Sequence, residues 1–153
     1  MYFLPIIVNI IAYLSDMTPS WNDEDMRMKK EIRIIITDNC VEFTELFKSR
    51  LELYPGIKIV GIAYNGNQTM DLLKKERADF LLLDIVMPEM NGLELLQRIK
   101  TAKPKPVVIV VSALGTDVII QKALALGAAC CFNKPVDCDK LMATLRKIVR
   151  YPT

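Results

Sequence analysis

From Glu31 onward, five short apolar runs alternate with five segments of helical periodicity. That alternation constrains the fold more than any other feature of the sequence. Ile32–Thr37 (IRIIIT), Ile57–Ala63 (IKIVGIA), Phe80–Leu83, Val107–Val111 and Ala128–Phe132 read as strands. Val41–Tyr54 sets Phe43, Leu46, Phe47, Leu51 and Tyr54 on one helical face, and Pro55-Gly56 stops that helix. Asn65-Gly66-Asn67 reads as a turn, followed by a helix over Gln68–Arg77 with Lys74, Lys75, Glu76 and Arg77 toward solvent. Asn91 reads as the N-cap of a helix that turns Leu95, Leu96 and Ile99 inward. Thr116–Leu126 is a helix ended by Gly127, and Asp137–Arg150 is the last, with Leu141, Leu145, Ile148 and Val149 inside. Strands that are apolar throughout are buried on both faces. The expected fold is therefore a parallel sheet with helices on each side. Right-handed crossovers make it a doubly wound α/β sandwich.

A chain of 153 residues is one ordinary domain, long enough to bury a core without a metal or disulfide staple. Its 20 basic against 18 acidic residues leave a net charge of +2, too balanced to indicate nucleic-acid binding by this domain. There is no histidine. That excludes Ser-His-Asp and Cys-His catalysis, His-ligated zinc and histidine phosphotransfer within the chain. Cys40, Cys130, Cys131 and Cys138 show no CxxC spacing and read as reduced, buried thiols of a cytoplasmic protein.

Residues 1–28 read as an N-terminal extension or linker, and 29–151 as the domain. Phe3–Leu14 (FLPIIVNIIAYL) is uncharged but too short to span a bilayer, and no basic residue precedes it as in a signal peptide. Ser15–Asp25 is polar and acidic. One reading starts the native chain at Met26 or Met28. The other makes the apolar segment a short helix that docks on the domain, a partner or a membrane surface. The five βα units are complete without residues 1–27, so the fold is expected to survive their removal.

In open parallel sheets, ligands bind beyond the carboxyl ends of the strands. Asp38 and Asn39 follow the first strand, Asp84 the third, Ser112 the fourth and Lys134 the fifth. An aspartate after a strand is usually a helix cap, and a loop lysine is usually just solvated. Together, however, two carboxylates, an amide, a hydroxyl and an ammonium share one rim. Carboxylates without histidine suit Mg²⁺, a hard ion that takes oxygen ligands. A hydroxyl and an ammonium suit phosphoryl oxygens. The set describes a phosphoryl-transfer site in which one aspartate can be the nucleophile.

At these residues the sequence resembles response-regulator receiver domains. Asp38 resembles the acidic site after strand one, and LLLDIVMPEMNG (Leu81–Gly92) the phosphoacceptor strand and loop. Val110-Val111-Ser112-Ala113 resembles the fourth-strand hydroxyl motif, and Asn133-Lys134-Pro135 the fifth-strand Lys-Pro. VGIAYNG (Val60–Gly66), LGTDV (Leu114–Val118) and KALALGA (Lys122–Ala128) more narrowly resemble receivers of the stage-zero sporulation regulator of spore-forming Firmicutes.

The resemblance implies a flavodoxin-like (βα)5 fold with strand order 2-1-3-4-5. It implies that Asp84 accepts a phosphoryl group from a histidine kinase or histidine phosphotransferase, and that Lys134 and Ser112 contact that group. It implies Mg²⁺, with Mn²⁺ or Ca²⁺ as substitutes, held by Asp38, Asn39, Asp84 and the backbone carbonyl of Val86. A cis Lys134–Pro135 peptide, a phosphorylation-dependent homodimer and a role in sporulation transcription belong to the same expectation. So do a cytoplasmic location, no transmembrane segment, and no enzymatic activity beyond the domain's own phosphorylation and dephosphorylation.

Two positions depart from the family. Asn39 stands where a second acid is usual, and Cys131 where an aromatic switch residue is usual. Phe132 is aromatic but one step along the strand, so it faces the other way. These departures favour the alternative of a pseudo-receiver, an interaction module that is not phosphorylated. Other rivals fit less well. A haloacid-dehalogenase-type phosphatase needs a second aspartate where Val86 stands. A nucleotide-binding fold needs a Gly-rich phosphate loop, absent here. Thr37-Asp38-Asn39-Cys40 lacks the Ser/Thr-rich composition of the flavodoxin phosphate loop.

Overall fold

The computed structural model describes residues 31–87, 91–113 and 116–150. The N-terminal apolar and acidic segments lie outside them, as do residues 88–90 of LLLDIVMPEMNG and 114–115 of LGTDV. The strands are β1 (Ile32–Thr37), β2 (Ile57–Ala63), β3 (Phe80–Leu83), β4 (Val107–Ser112) and β5 (Cys130–Asn133). The helices are α1 (Val41–Leu51), α2 (Gly66–Lys75), α3 (Gly92–Ile99), α4 (Asp117–Ala125) and α5 (Cys138–Arg150). All strand pairs are parallel, in the order β2-β1-β3-β4-β5, as the resemblance implied. Among the described residues, no helix is long and apolar enough to cross a membrane.

Side-chain alternation along the strands builds two cores. Ile34 and Ile36 of β1, Phe80 and Leu82 of β3, and Ile109 and Val111 of β4 face α1 and α5, where Phe47, Leu51, Leu141 and Leu145 are buried. Ile35, Leu81, Leu83, Val108 and Val110 face the other way, onto Leu95, Leu96 and Ile99 of α3 and Ala123 of α4. Every residue of β3 is buried, as a central strand covered on both sides requires.

Where the boundaries differ from expectation, the cause is local. The first helix ends at Leu51 rather than Tyr54, because the residue before Pro55 is pushed out of helical conformation. Its buried stripe is Thr44, Phe47 and Leu51. Leu46 points away from that stripe and is 64% exposed, which corrects its inward assignment. The Asn65–Asn67 turn is the start of α2: the Asn65 side chain caps Gln68 N–H at 2.9 Å, and the Gln68 side chain returns to Tyr64 N–H at 2.8 Å. The same helix stops at Lys75 instead of Arg77. There the Arg33 side chain bonds the Glu76 carboxylate and the Arg77 carbonyl. The last strand starts two residues late, at Cys130. The cysteines are free, but only Cys130 is buried; Cys40 is exposed and Cys131 and Cys138 are half-buried.

Candidate functional site

Pairing in the central strands sets the site. Thr37 of β1 is level with Leu83 of β3, and Leu83 with Val110 of β4. Asp38 and Asp84 each follow the last residue of their strand. Asp84 N–H donates to the Thr37 carbonyl at 2.9 Å, and Asp38 N–H to the Ala63 carbonyl at 3.0 Å, so the ladder extends to both carboxylates. Beneath them, the hydroxyls of Thr37 and Thr69 are 2.8 Å apart and tie α2 to β1.

Both side chains are held in place by their own loops. One oxygen of Asp38 accepts from Cys40 N–H at 2.8 Å, and one of Asp84 from Val86 N–H at 2.9 Å. The remaining oxygens converge on Lys134. Its ammonium lies 3.0 Å from Asp84 Oδ2 and also donates to Asp38 Oδ2. Asp38 is 2% exposed and Asp84 7%, which removes most of the solvent screening between these charges. Burial pulls the Lys134 pKa down, but its hydrogen bonds to Asp38 and Asp84 outweigh this and raise it above 10.5.

Lys134 reaches this position because β5 continues beside β4: Lys134 N–H donates to the Ser112 carbonyl at 3.1 Å. Ser112 is buried at the end of β4. The Lys134–Pro135 peptide is cis, as the resemblance implied. Phe43 lies under the ammonium, its ring centroid 4.1 Å from Nζ. The sequence marked Phe43 only as an inward residue of α1; its cation–π contact has no signature in the sequence.

Gly92 fixes how α3 begins. A Cβ there would meet Ile85 Cα at 2.4 Å and the Asp84 carbonyl at 3.0 Å. Glycine thus lets the start of α3 fold back on the chain just after Asp84, where Gly92 N–H bonds the Ile85 carbonyl at 3.0 Å. Asn91 caps α3 through Glu94 N–H at 2.9 Å, as its position suggested.

The structure thus brings Asp38, Asp84 and Lys134 into direct contact and sets Ser112 beside them. Asn39 is exposed, next to Asp38. Val86 is 46% exposed and uses its N–H on Asp84. At the switch position, Cys131 packs on the α3–α4 side and Phe132 on the α1–α5 side, in line with the alternation expected of them. Burial pushes the Cys131 thiol up to about 11.

The donor set is compatible with a hard divalent ion. Two oriented carboxylates share one small region, and Asn39 and Val86, which carry an amide and a carbonyl oxygen, lie one and two residues beyond them in the chain. Among the described residues, no group of three or more His, Cys, Asp and Glu side chains is arranged to hold a metal ion. An ion here would therefore draw on two anionic ligands, Asp38 and Asp84, and on neutral oxygens.

Comparison with known proteins agrees with this geometry. The family model described as the response regulator receiver domain matches residues 34–146. The protein-glutamate methylesterase/protein-glutamine glutaminase of Desulfotalea psychrophila is 34% identical over 108 residues, 69% of this chain and 30% of that protein. The chain thus spans about a third of the length of that relative. The response regulator domain of Thermotoga maritima CheB superposes with a TM-score of 0.73 at 26% identity, covering 80% of this chain and 99% of that one. The receiver domain of a DNA-binding response regulator from Colwellia psychrerythraea 34H gives 0.68 at 31% identity, covering 79% and 100%. By sequence and by fold, the chain belongs to the response regulator receiver domain family.

Proposed function

We propose that the domain is a phosphoacceptor switch, with Asp84 as the acceptor. The observation that carries this reading is the ammonium of Lys134 shared between Asp84 and Asp38 at the open edge of the sheet. A carboxylate oxygen of Asp84 attacks the phosphorus of a partner's phosphohistidine. The P–N bond breaks as the P–O bond forms, and the acyl phosphate stays on Asp84. On phosphorylation Lys134 moves from the carboxylates to the incoming phosphoryl oxygens. The Ser112 hydroxyl donates to the same group and draws the loop after β4 with it, a population shift driven by contacts that exist only when Asp84 is phosphorylated.

Asp38, Asn39, Asp84 and the Val86 carbonyl are the groups that would hold Mg²⁺. When bound, the ion supplies positive charge against the phosphoryl oxygens. The domain turns over no free substrate beyond its own phosphate. Its partners on this reading are a histidine kinase or histidine phosphotransferase, and a second copy of the domain after phosphorylation. A cytoplasmic location is supported by the four free cysteines, and sporulation transcription control by the Val60–Gly66, Leu114–Val118 and Lys122–Ala128 resemblances alone.

The test is intact-mass measurement after incubation with acetyl phosphate and Mg²⁺. The expected result is a single phosphate adduct on the wild type that Asp84→Asn lacks. An adduct that persists in Asp84→Asn overturns the assignment.

One specific observation favours a second reading. With Asn39 exposed and uncharged and no third acid at the site, the fold would serve as a pseudo-receiver that binds a partner without phosphorylation. The absence of any adduct with any acyl-phosphate donor or divalent ion would support it.

A further inference from the structure

At the amino-terminal edge of the sheet, far from Asp84, the end of α2 and the loop after α3 enclose an open groove of about 630 Å³. Met70, Leu73 and Ala102 give it a half-exposed apolar lining; of the four exposed cations on it, Lys74 pairs with Asp71 at 3.7 Å, which leaves Lys75, Arg77 and Lys103. Lys75 complements the carboxyl-end dipole of α2, but Arg77 and Lys103 lie beyond the helix ends and have no such role. Among the described residues none of the three is in an ion pair. The one carboxylate in the lining, Glu76, is held by Arg33 at 3.0 Å. The groove therefore suits an acidic peptide that carries one large apolar side chain.

The chain contains such a peptide. Trp21, its only tryptophan, is followed by Asn22 and then by Asp23-Glu24-Asp25. This segment lies outside the described residues, but its tether is short and starts at the correct edge. β1 begins at Ile32, and Arg33 donates to the Arg77 carbonyl at 2.7 Å. The six peptide links from Asp25 to Glu31 reach about 20 Å when extended. A tether of this length gives a local concentration of order millimolar, so even a weak contact is populated.

We propose that Trp21–Asp25 docks in this groove, with Trp21 on Met70, Leu73 and Ala102 and the three acids against Lys75, Arg77 and Lys103. The docked segment leaves the carboxylate edge open, so its binding is independent of the phosphoacceptor reading.

The full-length chain tests it through its single indole. Expected are a blue-shifted Trp21 emission protected from acrylamide, and zero-length carbodiimide cross-links from Asp23, Glu24 or Asp25 to Lys75 or Lys103. High salt, or the triple variant Lys75→Glu/Arg77→Glu/Lys103→Glu, should shift the emission to that of a solvated indole. Adding Asp23→Lys/Glu24→Lys/Asp25→Lys to the triple variant should restore the blue shift. Circular dichroism checks that the variants fold; if the triple variant does not, the salt titration and the wild-type cross-links decide. A wild-type emission already that of a solvated indole and unmoved by salt overturns the proposal. So do cross-links that join labelled to unlabelled chains in a mixed sample, because the occupant is then a second copy.

Discussion

Lys134 Nζ lies 3.0 Å from Asp84 Oδ2 and bonds Asp38 Oδ2 at the same time, so one cation serves two nearly buried carboxylates. Removing different members should have different effects. Lys134→Met leaves two like charges facing each other with little solvent. The expected loss is about 1–3 kcal/mol, below the full cost of breaking a buried pair because the lysine is part-exposed. Asp84→Asn keeps the Lys134–Asp38 pair and removes one of the two like charges, so its stability should stay within about 0.5 kcal/mol of wild type or rise. Urea denaturation of the three proteins at neutral pH checks both; equal losses in the two variants would contradict the shared-cation arrangement.

The same cluster sets an alkaline limit. The Lys134 pKa is raised above 10.5 in the folded protein, because its bonds to Asp38 and Asp84 outweigh burial. A raised cationic pKa means the folded state holds the proton more tightly than the unfolded one. The stabilisation is therefore fully present below pH 10.5 and is lost as pH climbs through the folded value. The stability gap between wild type and Lys134→Met should be flat up to about pH 10 and shrink above it. A gap that widens with alkali would mean that Lys134 is not the titrating group.

Two glycines should respond differently to alanine. At Gly92 the new Cβ meets the backbone of Ile85 at 2.4 Å, and backbone cannot move aside without shifting the loop after Asp84. At Gly61 it meets the Cδ1 of Leu72 at 2.8 Å, the far end of a flexible side chain. Gly92→Ala is expected to cost about 2–3 kcal/mol and to impair any acyl-phosphate labelling of Asp84, and Gly61→Ala about 1 kcal/mol with labelling intact. Thermal melts and intact-mass labelling of both variants give the comparison.

The fold was legible because strand identity here depends on composition. Ile34, Leu81 and Val108 stand in uninterrupted apolar runs, and a run buried on both faces reads the same whichever helix covers it. The carboxylate edge was legible because Asp38, Asp84, Ser112 and Lys134 each end or follow a strand, and parallel strands bring such positions together. Contacts that depend on how a loop or helix rotates were not. Leu46 looks inward in a helical count, but the stripe centres on Thr44, Phe47 and Leu51. Cys40 reads as one more apolar thiol and is exposed, because its loop presents its N–H to Asp38. Gly92 carries no mark of its close approach to Ile85, since only the folded loop creates it.

Tyr54 offers a second titration, away from the site. Its hydroxyl donates to Asp139 at the start of α5, and that bond, helped by burial, raises its pKa to about 12. The neutral phenol is thus the favoured folded form. The contribution is complete below pH 10 and fades between there and about 12. A spectrophotometric titration of the protein should contain a late phenolate phase near pH 12 that belongs to Tyr54. Tyr54→Phe should remove that late phase, and Asp139→Asn should move it to lower pH. A late phase that survives Tyr54→Phe would assign it to another tyrosine.

Asn39 decides how strongly the site attracts a divalent ion. With Asp38 and Asp84 as its two carboxylates, the site has less mutual repulsion when empty than one with three. It also has less attraction for a cation, and opposite charges at contact distance dominate the affinity for a hard ion. The ligand loss outweighs the relief of repulsion, because the carboxylates lie farther from one another than each would lie from the ion. Asn39 is also exposed, so a carboxylate there would be well solvated before binding. Asn39→Asp should therefore tighten Mg²⁺ by roughly 1–2 kcal/mol, the scale of one charge-assisted contact in a partly wet site. The same substitution should lower the metal-free melting temperature, since a third negative charge joins a cluster with one lysine. Calorimetric Mg²⁺ titrations of wild type and variant, with melts at matched ionic strength, measure the two effects. Equal Mg²⁺ affinity in the two proteins would mean that Asn39 does not face the ion.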